Sequence, residues 1–242
     1  TDEGNVREFI HGSRATNPVD QWPDPDVYVN YMGQSLSGSE NRNINRTYPG
    51  KADGTLTEMM SYGIVQLINT ENIDVTVDLH EASPEYPVIN ALIAHERAMN
   101  LASNVVVDMQ MEGVQISLEP SPTDLRGLTH RELGDHTDTL ALLMEAPNPA
   151  QGRLRDRTDE ALVLTGKSET YVKAGEIGQL YVPYDENGWP IEVRCARHVF
   201  GIERILANYS EMYEEPIIVT GMPSYDELVK NGMGPYLNEP TT

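Results

Sequence analysis

Apolar positions recur at helical spacing in several stretches of the chain and alternate or cluster in others. Met60, Ile64, Leu67 and Ile68 fall on one face of a helix expected over 57–72, with Thr57 as its N-cap. A longer amphipathic helix is expected from Ile191 to Tyr213, with Val193, Val199, Ile202, Ile205 and Leu206 on its apolar side. A third spans about 95–111. Residues 73–79 alternate apolar and polar, which predicts a strand stopping at His80. Further strands are expected over 88–94, 114–118 and 139–144, the last stopping at Glu145. Strands alternating with helices predict an α/β fold with a largely parallel sheet. Ahead of them, residues 12–50 are rich in Pro and Gly, and a long irregular segment inside a compact domain usually serves a function. Residues 148–190 read as a small β-rich insertion with strand-like runs at 161–164 and 179–184. Pro216, Pro223, Pro235 and Pro240 predict an extended tail over the surface.

Composition narrows the class. A chain of 242 residues can bury a substantial core, as one large domain or two small ones. No apolar run approaches the roughly 18–20 residues of a membrane span. With 38 acidic residues against 17 basic the net charge is -21, which repels nucleic acid and anionic lipid. The plain reading of that surface is solubility in a salty or extracellular setting. An anionic substrate would need a local positive pocket inside it. The single Cys195 excludes an internal disulfide framework and a Cys-based zinc site. The chain opens at Thr1 without an initiator Met or a signal-peptide pattern, which reads as a processed or truncated product with a lean towards export.

Three segments carry candidate chemistry. His80 and Glu145 stand where two strands are expected to stop, and sites in open α/β sheets form at the carboxyl ends of strands. A neutral imidazole is a common zinc ligand, although a lone His at a strand end is more often a structural hydrogen-bonder. Glu145 leaves an apolar bed, Leu140 to Met144, where desolvation would raise its pKa towards the range that activates water. Asn45 and Arg46 lie in a rigid Pro-Gly turn, and a fixed guanidinium is suited to gripping a carboxylate. The plain alternatives are a Glu that begins a loop and an Arg exposed to water.

In order, Asn-Ile-Asn-Arg-Thr-Tyr-Pro-Gly (43–50), Val-Asp-Leu-His-Glu-Ala (77–82) and Leu-Leu-Met-Glu-Ala-Pro (142–147) resemble the zinc carboxypeptidase superfamily, especially its aspartoacylase and succinylglutamate desuccinylase branch. The resemblance covers roughly residues 40–147. It implies a three-layer α/β/α fold with a mixed, mostly parallel sheet, and it makes residues 1–242 one catalytic domain lacking its N-terminal portion. It implies Zn2+ as cofactor, His80 as its third ligand, and Glu145 as the base that activates zinc-bound water and then protonates the leaving amine. Asn45 and Arg46 would bind the substrate carboxylate. The implied reaction is cleavage of an amide bond next to a free carboxylate, in a peptide C-terminus or an N-acyl amino acid.

The chain departs from that pattern in two places. The family's first two ligands come from a His-x-x-Glu motif, but His11-Gly12-Ser13-Arg14 carries Arg where Glu is required. Either those ligands lie in a preceding segment, which could persist as a separate N-terminal fragment, or this is a metal-free, inactive relative acting as an acidic binding or structural protein. The Tyr that carboxypeptidases place before the catalytic Glu is also missing. In its stead Arg126, His130 and Arg131 could build the positive pocket for a small acidic substrate, which points to deacylase-type specificity. Arg14 and Arg42 are candidates for an oxyanion-stabilising Arg. His130, Glu132 and His136 do not share a helix face, which argues against a second metal. His95 reads as a helix cap or a surface residue and His198 as structural.

Overall fold

Local hydrogen bonding explains most of the elements in the computed structural model, which describes residues 24–155 and 160–237. His11 to Arg14 lie outside the described residues. The turn-rich stretch opens with an antiparallel hairpin, β1 (Val27–Val29) and β2 (Ser35–Ser37), in which Gly33 takes a φ of 81° and Asn30 Oδ1 accepts the Gln34 amide. Two 3-10 turns, Gly38–Arg42 and Ile44–Arg46, lead to a cis Tyr48–Pro49 bond and to Gly50 at φ 78°. A Cβ at Gly50 would run into Glu58 O and the Tyr62 amide, so only glycine fits this turn.

Helix α1 (Leu56–Glu71) begins at a capping box: Thr55 accepts from the Glu58 amide and the Glu58 carboxylate accepts from the Thr55 amide. The cap is therefore Thr55, not Thr57, which is buried in the first turn. The buried face runs through Thr57, Ser61, Val65 and Ile68, while Met60 and Leu67 face water. Hydroxyls at 57 and 61 hide this face from an apolar periodicity: Ser61 Oγ donates to Thr57 O and pairs with the fully buried Thr47.

Strands β3 (Val75–Ala82), β4 (Ala91–Ala94), β5 (Ser117–Pro120) and β6 (Leu140–Pro147) form a mixed, mostly parallel sheet in the order β3-β6-β4-β5. Leu140 N donates to Asp74 O and Asn148 N to Ala82 O, so β3 and β6 run parallel over their whole length. Ser117 N to Asn90 O and Ser121 N to Ala94 O do the same for β4 and β5. Between β4 and β5 run a 3-10 turn (Glu96–Ala98), N-capped by the His95 ring as expected, and α2 (Met99–Met111). Helix α3 (Thr129–His136) precedes β6.

The segment 148–190, expected to be β-rich, carries among its described residues a 3-10 turn at Pro149–Gln151 and two helices, α4 (Glu160–Thr165) and α5 (Glu169–Glu176). Leu162 and Val163 are buried as one helical turn, and Ser168 caps α5. The long helix is where periodicity put it, α6 (Ile191–Tyr213). The expected tail contains a further helix, α7 (Tyr225–Asn231), begun by a Ser224–Glu227 capping box, and its Tyr225 ring lies 6.0 Å from Phe200.

Contacts sort the chain into two compact units, the first holding the described residues up to Asp78 with Ile93–Met99 and Pro120–Leu143, the second holding Leu79–Leu92, Asn100–Glu119 and the described residues from Met144 onward. In the first, Tyr48, Val65, Ile68, Leu133 and Ala141 form the core. In the second, Leu101, Val105, Met109, Met144 and Ile205 are buried, and a Cβ at Gly201 would strike the Met144 thioether. Among the described residues no helix is long and apolar enough to cross a membrane.

Candidate functional site

The register of β3 against β6 decides where His80 and Glu145 go. The two backbone bonds that bracket the pair of strands set Val75 beside Leu140 and Ala82 beside Pro147. The same offset puts His80 beside Glu145, on the same face, and His80 Nδ1 lies 3.7 Å from Glu145 Oε1. Neither residue stands where its strand stops, contrary to expectation: β3 continues to Ala82 and β6 to Pro147. The Asn148 N to Ala82 O bond holds both strands in the ladder past the two side chains. The bed beneath Glu145 is as apolar as the sequence suggested, with Ala141 to Met144 buried. At 27% and 14% exposure, both side chains remain within reach of solvent.

Glu81, the neighbour of His80, is anchored at both carboxylate oxygens. Arg194, 1% exposed, donates Nη1 to Glu81 Oε1, Nη2 to Val163 O and Nε to Trp189 O. Asn148 Nδ2 donates to Glu81 Oε2 at 2.6 Å. One turn along α6, burial pushes His198 down to about 4, against the pull of Glu81 and of a hydrogen bond with the His80 backbone, so this imidazole is neutral at pH 7. Sequence reasoning missed Arg194, Glu81 and Asn148. The signal was present in α6, whose buried stripe of Arg194, Arg197, Gly201, Ile205 and Asn208 keeps helical spacing but places two Arg on it.

The first unit carries the remaining candidates. Asn45 Oδ1 accepts from both Thr129 N at 2.7 Å and Thr129 Oγ1 at 2.8 Å. It thereby supplies the side-chain cap that Leu128 cannot give to α3. Arg46 Nη1 donates to Asn45 O at 2.6 Å, and Asn30 Nδ2 bonds the backbone carbonyls of Arg46 and Arg126. Arg126 forks onto the fully buried Glu132 with two 2.7 Å bonds and reaches Asp135 at 3.0 Å. His130, 6% exposed, pairs its Nδ1 with Ser121 Oγ at 2.8 Å. Arg131 is bidentate on Glu96 and also bonds Asp135. The charge of this segment is thus largely balanced inside the fold. Arg42 is likewise forked onto Asp24, and Arg14 lies outside the described residues.

Among the described residues no three His, Cys, Asp or Glu side chains converge as a ready ligand set. Of the residues expected to serve a metal, His80 is described, with the Glu145 carboxylate beside it. Compared with known proteins, the chain matches no family model, no curated protein and no solved structure.

Proposed function

We propose that this chain is a zinc-dependent hydrolase of the zinc carboxypeptidase type, cleaving an amide bond next to a free carboxylate. Its substrate class is a peptide C-terminus or an N-acyl amino acid. The observation that carries the reading is the pairing of His80 with Glu145 across parallel strands at 3.7 Å. The parallel ladder of β3 and β6 brings the two side chains side by side. A base beside a ligand needs that arrangement: close, but not a ligand itself.

Bound zinc would supply a Lewis acid able to polarise a scissile carbonyl and to lower the pKa of water to about 7. His80 would serve as one of its ligands. Glu145 takes the proton of the attacking water and returns it to the leaving amine. Asn45 and Arg46 take the role of binding the substrate carboxylate, and a bond from Arg46 Nη1 to Asn45 O restrains that guanidinium. Arg126 and His130 would act as supports of that segment rather than as charges in a pocket, given their bonds to Glu132 and Ser121.

The test is a panel of N-acyl amino acids and short peptides with wild type and Glu145→Gln, with zinc content measured in parallel. The variant should keep the metal of the wild type and lose about 10²–10⁴-fold in rate. A Glu145→Gln protein that hydrolyses like wild type sinks the general-base role. A second reading, a metal-free acidic binding or structural protein, draws on the commitment of Asn45 Oδ1 and Arg126 to bonds within the fold. Wild type that takes up no zinc and cleaves nothing in the panel would favour it.

A further inference from the structure

We propose that Arg194 and Glu81 form a positioning pair that fixes His80 and the end of β6 in place. This rests on the functional reading above for its meaning, though not for its geometry. Arg194 is almost fully buried and spends its donors on three elements: Glu81 in β3, Val163 O in α4 and Trp189 O just before α6. Glu81 passes that anchorage across the sheet, because its other oxygen accepts Asn148 Nδ2. Asn148 is itself held twice, by its amide on Ala82 O and by its Oδ1, which accepts from Ala150 N at 2.9 Å. The result is a closed frame around the far ends of β3 and β6; His80 precedes Glu81 by one residue in β3 and Glu145 precedes Asn148 by three, so the frame acts on both through the backbone.

A frame of this kind does something that packing does not. A buried guanidinium that must satisfy three separate acceptors with its planar set of donors restricts the strand end to a narrow geometry, where apolar contact tolerates sliding. Side chains that orient a metal-binding His commonly matter about 10–100-fold in metal affinity without touching the metal. A fold staple alone would be served as well by a well-packed apolar pair, since buried ion pairs are often neutral or costly for stability. A charged pair at 81 and 194 fits positional control of the residue next door.

The experiment uses the full chain labelled with ¹⁵N-histidine, in wild type, Glu81→Gln and Arg194→Lys. The His80 ring signals are assigned with His80→Gln, and affinity for zinc alone is measured by chelator competition. Both Glu81→Gln and Arg194→Lys should keep the ring signals of His95 and His130 while shifting those of His80, and should weaken zinc about tenfold or more. His80 signals and zinc affinity that match wild type in a folded Glu81→Gln protein would overturn the proposal. So would loss of folding in both variants, because that is the behaviour of a staple. If wild type binds no zinc, the hydrolase reading fails separately, and the His80 ring signals alone decide whether the pair positions it.

Discussion

Asn45 shows how one side chain can carry a structural bond beside its proposed part in a ligand clamp. Its Oδ1 closes the first turn of α3 by taking both donors of Thr129, from 84 residues upstream. Removing that acceptor in Asn45→Ala leaves a helix-start amide without its partner and should cost about 1–2 kcal/mol in urea unfolding. Asn45→Asp keeps the acceptor oxygens and should recover most of that stability. It also loses the amide donors and adds a negative charge, so it should still abolish binding of a carboxylate ligand. If both variants unfold at the wild-type midpoint, the capping role is wrong. At this scale the sequence was informative about residue types and silent about pairing. His80 and Glu145 stood out as candidates, but their adjacency depends on strand register, which no single strand encodes. Arg126 and His130 stood out as well, yet two of the acids that neutralise the segment, Glu132 and Asp135, stand within ten residues of Arg126 and were equally visible, while Glu96, the partner of Arg131, comes from 35 residues upstream.

Elements were legible in proportion to their length and to the purity of their periodicity. Helix α6 was read to the residue because 23 residues sustain its pattern. The run Ala-Leu-Val-Leu at 161–164 is too short to separate strand from helix by alternation, and it folded as part of α4. Helix α7, seven residues between prolines, was hidden by them, although its Ser224–Glu227 capping box was in plain sight. Helix α3 owes its place less to apolar periodicity than to charge. Arg131 couples it to Glu96, and this guanidinium pulls Glu96 from the usual 4.5 to about 2. Burial opposes ionisation of Asp135, but bonds from Arg131 and His95 and the charge of Arg126 still hold it below its ordinary value. A carboxylate whose folded pKa is depressed stabilises the fold fully above its unfolded value, and that contribution fades as pH falls through the folded one. The thermal midpoint of wild type should therefore exceed that of Glu96→Gln at pH 5 and above, with the gap closing between about pH 4.5 and pH 2. A gap that persists unchanged at pH 2 would mean that Glu96 acts through packing and not through its charge.

The whole molecule carries a net charge of -21, and its acids outnumber its bases by more than two to one. Such an excess repels itself across a folded surface and relaxes when the chain expands, so it opposes the native state. The ion pairs that matter to the fold are different in kind. Arg194 with Glu81, Arg126 with Glu132, and Arg131 with Glu96 and Asp135 each have at least one partner at 5% exposure or less. Salt screens exposed charges over a Debye length of about 10 Å at 0.1 M and reaches buried pairs much less. Raising ionic strength should thus remove the repulsion and spare the internal pairs. The thermal midpoint should climb as NaCl goes from about 20 mM to about 0.5 M, where the Debye length has shortened to a few ångströms. A relief of about 1 kcal/mol corresponds to roughly 2–4 °C for a chain of this size. The same rise should appear with KCl, because screening depends on ionic strength and not on ion identity. A midpoint that falls with salt would place the stability in exposed ion pairs, and one that climbs only with divalent cations would point to specific binding on the acidic surface.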